Sequence, residues 1–323
     1  MNFDFRKFCK TFLFGQFLSL LLCGTGVTSG LLQKHGLNTP TAQCFLNYIL
    51  LSVVYSSYLA CRKETERPLM YIIKTQGWKY FLLALVDVEA NFLVVKAYSY
   101  TTVTSVQVLD SFTIPSVMIL SFIFLRVKYG LFHISGAVIC LFGIGGLILS
   151  DVLTKNQTNN SQHDQMVLGD ILCICGAVLY SISNVGEEYI VKKYARTEFL
   201  GMVGLFGSFI SGIQVIIVER NGFNDVDFWT VEILLPWLLY TVCLFLLYSC
   251  MTIGIQYTSA TAMNLAILSA DFYALLVGVF VFNYTFHVLY FVAMAVIIGG
   301  IILYSLKPTE SRDPLPVADE DNS

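Results

Sequence analysis

The chain has 323 residues, 56% hydrophobic and 13% charged, with a formal net charge of −3 and a mean hydropathy of +0.70. Soluble domains carry about 25% charged residues, so this composition excludes an ordinary soluble domain and points to an integral membrane protein. No basic stripe offers a nucleic-acid surface, and the length suits about ten helical spans with short loops.

Residues 1–10 hold Arg6, Lys7 and Lys10 and read as a cytoplasmic N-terminus. The apolar run that follows, 11–33, is longer than the roughly 7–15-residue core of a secretory signal, and is expected to be the first span. Further spans are expected at 41–61, 77–98, 101–125, 130–151, 168–190, 199–218, 232–254, 258–282 and 286–306. The stretch from Glu232 to Lys307 encloses one formal charge, Asp271. A segment between the fifth and sixth spans, 152–167, is expected to face outward. The tail 307–323 is polar, acidic and proline-containing, and is expected to be a disordered cytoplasmic segment.

Loop charge sets the orientation. Of the 19 Lys and Arg residues, Lys34, Lys96, Lys155 and Arg220 fall on the outer side and the rest on the inner side. The positive-inside rule therefore places both termini in the cytoplasm. The sequons at Asn156 and Asn159 lie in the long outward loop and are candidate glycosylation sites. Asn283 heads a third, close to the membrane.

The two halves resemble each other. Tyr100-Thr-Thr-Val-Thr-Ser-Val-Gln107 aligns with Tyr257-Thr-Ser-Ala-Thr-Ala-Met-Asn264, and Gly145-Gly-Leu-Ile-Leu-Ser150 with Gly299-Gly-Ile-Ile-Leu-Tyr304. Five spans per half reverse the orientation of the second half. The expected fold is all-α, ten transmembrane helices in two inverted five-helix repeats, 11–151 and 168–306, with a solute site between them near the midplane.

Acidic residues inside spans are costly and mark candidate function. Asp87 and Glu89 lie in the third span, Asp110 in the fourth and Asp271 in the ninth. Asp87 and Asn91 share a helix face, whereas Glu89 points elsewhere and is spaced to pair with Lys96. Thr104, Gln107, Asp110 and Ser111 form one stripe, followed by Pro115, which is expected to kink the helix. Thr261, Asn264, Leu268 and Asp271 form its counterpart. Tyr180 and Asn184 sit on a stripe of the sixth span. Glu187 and Glu188, just before Lys192 and Lys193, read as solvated ion-pairing residues. The candidate solute-binding set is Glu89, Asn91, Gln107, Asp110, Tyr180, Asn184, Asn264 and Asp271. Glu89, Asp271 and Asp87 are candidate proton carriers. Tyr98, Tyr100, Tyr248 and Tyr273 are placed to stack on a planar ring.

Acids without Arg or a central Lys suit a neutral or cationic solute better than a phosphate. The nine cysteines show no CxxC pair and read mainly as buried apolar groups; Cys9 and Cys61 are candidates for palmitoylation. Gly26 and Gly30, and Gly201, Gly204, Gly207, Ser208 and Gly212, are spaced for close helix contact. His35, His133, His163 and His287 all lie in loops or near span ends, and neither HExxH nor a Walker loop is present. The chain is therefore not expected to be an enzyme. No catalytic residue, metal or cofactor is expected.

Long motifs then carry a resemblance. Asp87-Val-Glu89-Ala-Asn91, the Tyr100–Gln107 segment, Ser183-Asn184-Val-Gly-Glu187-Glu188-Tyr189-Ile-Val-Lys192-Lys193, Glu198-Phe-Leu-Gly-Met-Val-Gly-Leu-Phe-Gly207 and Thr258-Ser-Ala-Thr-Ala-Met-Asn264 resemble the F subfamily of solute carrier family 35. That family lies in the drug/metabolite transporter superfamily and is related to nucleotide-sugar transporters. The resemblance covers about residues 11–306. It implies a secondary transporter working by alternating access on a nucleoside- or nucleobase-like solute, with proton or exchange coupling. Where related bacterial transporters often carry an acid just after the fourth span, this chain has Arg126-Val-Lys128. The alternatives are a Golgi-type nucleotide-sugar/nucleotide exchanger and a non-transporting membrane scaffold. The expected partners are a small solute and the lipid bilayer, not nucleic acid. The plasma membrane is slightly favoured over endomembranes.

Overall fold

A computed structural model describes residues 5–37, 39–61, 68–155, 160–220, 230–281, 288–305 and 310–311. The glycosylation candidates Asn156 and Asn159, and Asn283, lie outside the described residues. The fold is helical, as expected. In hydrocarbon a helix satisfies its own backbone polar groups, and these apolar runs have few polar side chains to compete for them.

The helices are α1 (Phe5–Lys34), α2 (Pro40–Leu51), α3 (Ser57–Ala60), α4 (Leu69–Ala97), α5 (Val103–Asp110), α6 (Thr113–Phe124), α7 (Leu131–Lys155), α8 (Asn160–Lys193), α9 (Arg196–Val218), α10 (Val231–Tyr257), α11 (Ala260–Ala266), α12 (Ser269–Phe280) and α13 (Val288–Ser305). A π-helical segment, Ser52–Ser56, joins α2 to α3. Among the described residues, seven segments are long and apolar enough to cross a membrane. Leu131–Gly143 and Phe291–Gly300 form shorter apolar helices. The middle of α4 carries Asp87 and Glu89.

Two segments expected as continuous spans are broken. In the first, α5 ends at Asp110 and α6 begins at Thr113. The backbone tightens there, with Ser111 N–H bonded to Val108 O, Phe112 to Leu109 and Ile114 to Ser111. Pro115 has no N–H to give Ser111 O, so Ile114 takes that carbonyl three residues back. In the second, α11 and α12 are separated by Ile267 and Leu268, and Leu268, Ala270 and Asp271 likewise bond three residues back. No proline stands at this second break. The two broken segments also start alike: Thr102 Oγ1 accepts from Ser105 N–H and Ser259 Oγ from Ala262 N–H, each at 3.1 Å. These caps occupy matching places in the Tyr100 and Tyr257 motifs.

The breaks bring the segments together. α5 packs on α12, and α6 on α11; α1 runs beside α10 and α12, and α7 beside α13. The π segment and α2 lie on α9. A Cβ on Gly204 would stand 2.5 Å from Ser52 N, so this contact requires glycine. Gly26 has a different use: a Cβ there would collide with the Gln107 side chain, which fills that space.

Burial is arranged for a membrane. Phe122, Phe124, Ile216, Ile217 and Val218 are exposed, while Asp87, Asn91, Gln107, Glu187 and Asp271 are buried. Of the cysteines, Cys23, Cys44, Cys140 and Cys173 are buried, whereas Cys61 and Cys175 are exposed. Within the expected disordered tail, Glu310–Ser311 pairs antiparallel with Val127–Lys128; the tail residues 312–323 lie outside the described residues.

Candidate solute site

α1, α4, α5, α8, α10 and α11 enclose an empty space of about 930 Å³, its opening included. Its polar lining contains Asn91, Gln107, Asp110, Tyr180, Asn184 and Asn264, all foreseen as solute-binding residues, together with Asp87 and Glu187. Tyr98, Tyr240 and Tyr248 add aromatic surface, and Leu22, Val94, Leu244 and Met251 complete apolar walls.

Asp87 organises one side. Its Oδ2 accepts from Tyr48 Oη at 2.8 Å and Tyr248 Oη at 2.7 Å, and its Oδ1 from Ser183 Oγ at 2.8 Å. One turn on, Asn91 Nδ2 donates to the same two tyrosine oxygens at 2.8 Å each, and Asn91 Oδ1 accepts from Tyr180 Oη at 2.8 Å. The i, i+4 spacing of Asp87 and Asn91 puts both on one face of α4, and α2, α8 and α10 supply the hydroxyls. Tyr48 and Tyr248 each donate to the carboxylate and accept from the amide, whereas Tyr180 donates to the amide oxygen, so one buried network joins the three helices to α4.

The broken segments supply the opposite side. Gln107 Nε2 reaches Leu22 O at 3.3 Å and Tyr98 Oη at 3.4 Å. Asp110 Oδ1 accepts a weak 3.4 Å contact from Thr113 Oγ1. Asn264 Nδ2 donates to Ala260 O at 2.8 Å, and its Oδ1 accepts from Asn184 Nδ2 at 3.3 Å. Matching positions of the sequence repeat, Gln107 and Asn264, thus line one cavity.

Glu89 and Asp271 stand elsewhere. Glu89 turns from the cavity toward α9, where Gln214 Nε2 donates to it. That follows from helix geometry: two residues from Asp87, it must leave the face Asp87 occupies. Asp271 lies behind the lining, at the crossing of the two breaks, and accepts from Ser111 Oγ at 2.8 Å. Tyr273 also serves packing, donating to Gln16 Oε1 at 2.8 Å.

Glu187 and Glu188, expected together as solvated ion-pairing residues, are both buried, and of the two Glu188 makes the ion pair. Glu188 binds Lys192 at 2.6 Å and accepts from Ala260 N–H at 2.9 Å, but it does so buried. Glu187 is buried on the cavity side, on the stripe of Tyr180 and Asn184. The charges that follow it in sequence drew it outward; α10 and α4 pack over it instead. Tyr48 and Tyr240 carried no sequence signal, since a tyrosine in an apolar span reads as packing.

These helices, apolar outside and polar around an internal cavity, define a multi-pass membrane protein. Residues 4–306 match the family model of solute carrier family 35, and the chain belongs to that family, in its F subfamily. It is 47% identical over 306 residues to mouse solute carrier family 35 member F2, covering 94% of this chain and 80% of that one. It is 44% identical over 314 residues to the Xenopus tropicalis protein of the same name, covering 96% and 80%. A shorter match, 28% identical over 184 residues, joins 56% of this chain to 40% of a putative chloroquine resistance transporter of Plasmodium chabaudi. In fold, the chain is similar to a protein of known crystal structure, with a TM-score of 0.64, 15% identity and coverage of 92% and 97%.

Proposed function

We propose that this family member carries a small, planar, polar solute, nucleoside- or nucleobase-like, across a membrane by alternating access. The reading takes ten spans in two inverted repeats with both termini cytoplasmic. The observation that carries it is the shared cavity: Gln107 and Asp110 from one broken segment and Asn264 from the other line a single space with Asn91, Tyr180 and Asn184. Amide and carboxylate groups give a heterocycle donors and acceptors, and tyrosines give it ring faces.

The charge of the lining supports a neutral or cationic solute. Asp87, Asp110 and Glu187 contribute to it, and no Lys or Arg does among the described residues. A nucleotide sugar needs cations or helix N-termini for its phosphates, so the neutral or cationic reading is favoured over the nucleotide-sugar exchanger. Asp271 is proposed to act at the hinge between the repeats, either by carrying a coupling proton or by fixing the crossing.

The test is uptake of a labelled nucleoside and nucleobase panel by cells expressing the chain, with surface protein measured in parallel. Saturable uptake that Asn264→Ala reduces about tenfold or more supports the reading. A flat panel with protein at the surface overturns it.

A further inference from the structure

We propose that Glu187 is the cavity's solute-binding carboxylate and that it selects solutes bearing an exocyclic amino group, rather than a carbonyl, at the position it faces. The inference rests on the carrier reading and names the group that sets its specificity.

The cavity's three acids differ in what their oxygens already hold. Both oxygens of Asp87 are occupied by hydroxyl donors. Asp110 is half-buried and takes one weak contact from Thr113. Glu187 is 6% exposed, and its Oε1 has no hydrogen-bond partner. Among the described residues that line the cavity, it is the buried polar group left in that condition.

Nearby protein groups do not supply the missing partner. Lys192 is held by Glu188 at 2.6 Å. The Thr252 hydroxyl is placed to hydrogen-bond the carboxyl, but its single proton is also claimed by Tyr248 O at 2.6 Å, and Oε1 stays without a partner. Asp87 and Glu188, the charged neighbours, have the same sign as Glu187. A buried carboxyl oxygen left without a donor is costly for a fold to carry. The cost is relieved when a donor enters the cavity. A solute N–H does this with a charge-assisted hydrogen bond, whereas a carbonyl in its place would set oxygen against oxygen. Tyr180 and Asn184, on the same stripe of α8, lie along the cavity wall beside it.

The experiment measures uptake of labelled adenine, cytosine, hypoxanthine and uracil separately in cells expressing the full chain, as wild type and as Glu187→Leu and Glu187→Gln. Thermal melts of the purified variants run alongside. The expected result is a preference for the amino-bearing adenine and cytosine over their carbonyl counterparts. Glu187→Leu lowers uptake of the amino bases about tenfold to a hundredfold, the range for a charge-assisted hydrogen bond, and leaves the carbonyl bases little changed. The leucine variant melts no lower than wild type, because it removes a buried polar atom that has no partner in the fold. Glu187→Gln, with a neutral acceptor of the same size, falls between, and carries the test if the leucine variant does not fold. Wild-type uptake with no amino preference, or a preference undiminished in both variants, overturns the Glu187 assignment and leaves the carrier reading standing. No uptake of any base by folded wild type at the surface overturns both.

Discussion

Ser111 Oγ donates a 2.8 Å hydrogen bond to Asp271 Oδ2, and this bond ties the break between α5 and α6 to the first turn of α12. Both ends are buried. Asp271 lies in the first turn of α12, where the chain bonds three residues back. The two interrupted helices are thereby fastened at the places where each has given up regular hydrogen bonding. In such an arrangement, a change at either break is felt at the other.

Removing the donor should cost more than neutralising the acceptor. Ser111→Ala leaves a buried oxygen of Asp271 unpaired, at a cost of about 1–3 kcal/mol. Asp271→Asn retains a carbonyl acceptor for Ser111 and should cost less than about 1 kcal/mol. If the carboxylate carries a coupling proton, the asparagine variant loses uptake although its melting temperature holds. Melting and uptake measured on both variants separate these effects, and a larger melting loss for Asp271→Asn contradicts the pairing.

The Asp87 hub should behave as a scaffold. Asp87→Ala strands three hydroxyl donors at once and should destabilise the protein by about 3 kcal/mol or more. Tyr248→Phe removes a single member and should cost about 1 kcal/mol. Double-mutant cycles on Tyr48→Phe and Tyr248→Phe should show coupling of about 0.5 kcal/mol or more, since both hydroxyls share one carboxylate oxygen and one amide. Strict additivity would contradict the network.

The α2–α9 contact predicts a sharp contrast between glycines. Gly204→Ala drives a Cβ into the backbone of Leu51 and Ser52 and should cost about 1–3 kcal/mol or more, because neither backbone can yield without shifting its helix. Gly145→Ala meets no atom within 4 Å and should be neutral or slightly stabilising through helix propensity. Melting temperatures of the two variants check the prediction.

Glu219, just beyond α9, accepts from Thr41 N–H at 2.7 Å and Ala42 N–H at 2.9 Å, and so caps the start of α2. Burial raises its carboxyl above the usual range, with these donors and Lys96 opposing the shift. A raised value means the folded protein binds the proton more tightly than the unfolded chain. This contribution is therefore fully present below the unfolded value of about 4.3 and is lost as pH rises through the folded value. Glu219→Gln should remove that slope from melts recorded between pH 4 and 7. An unchanged slope assigns the dependence to other groups.

The positions of the apolar segments were legible from hydropathy alone, and each lies on a helix or a broken pair of helices. The corresponding caps at Thr102 and Ser259 were implicit in the repeated motif. Pro115 announced the first break, because a missing N–H is a local property of the chain. The second break had no such sign: no proline or glycine stands between Leu265 and Asp271, and only packing of α11 and α12 against the other broken segment accounts for its place. The site divides in the same way. Stripe spacing grouped Asn91, Gln107, Asp110, Tyr180, Asn184 and Asn264 by helix face, since helical periodicity fixes which residues share a face, and all six line the cavity. It could not decide which face looks into the cavity. Glu89 was as promising as Asp87 in sequence, yet α9 covers one and the cavity adjoins the other. Glu187 and Glu188 are adjacent acids, and their roles separate only when α11 claims Glu188 and the cavity lies against Glu187. Sequence by itself determined a membrane protein with polar groups at depth, because hydropathy and helix period are local. Which acid is satisfied and which awaits a partner was decided by tertiary structure, because hydrogen-bond satisfaction depends on donors brought from α2, α8 and α10, far apart along the chain.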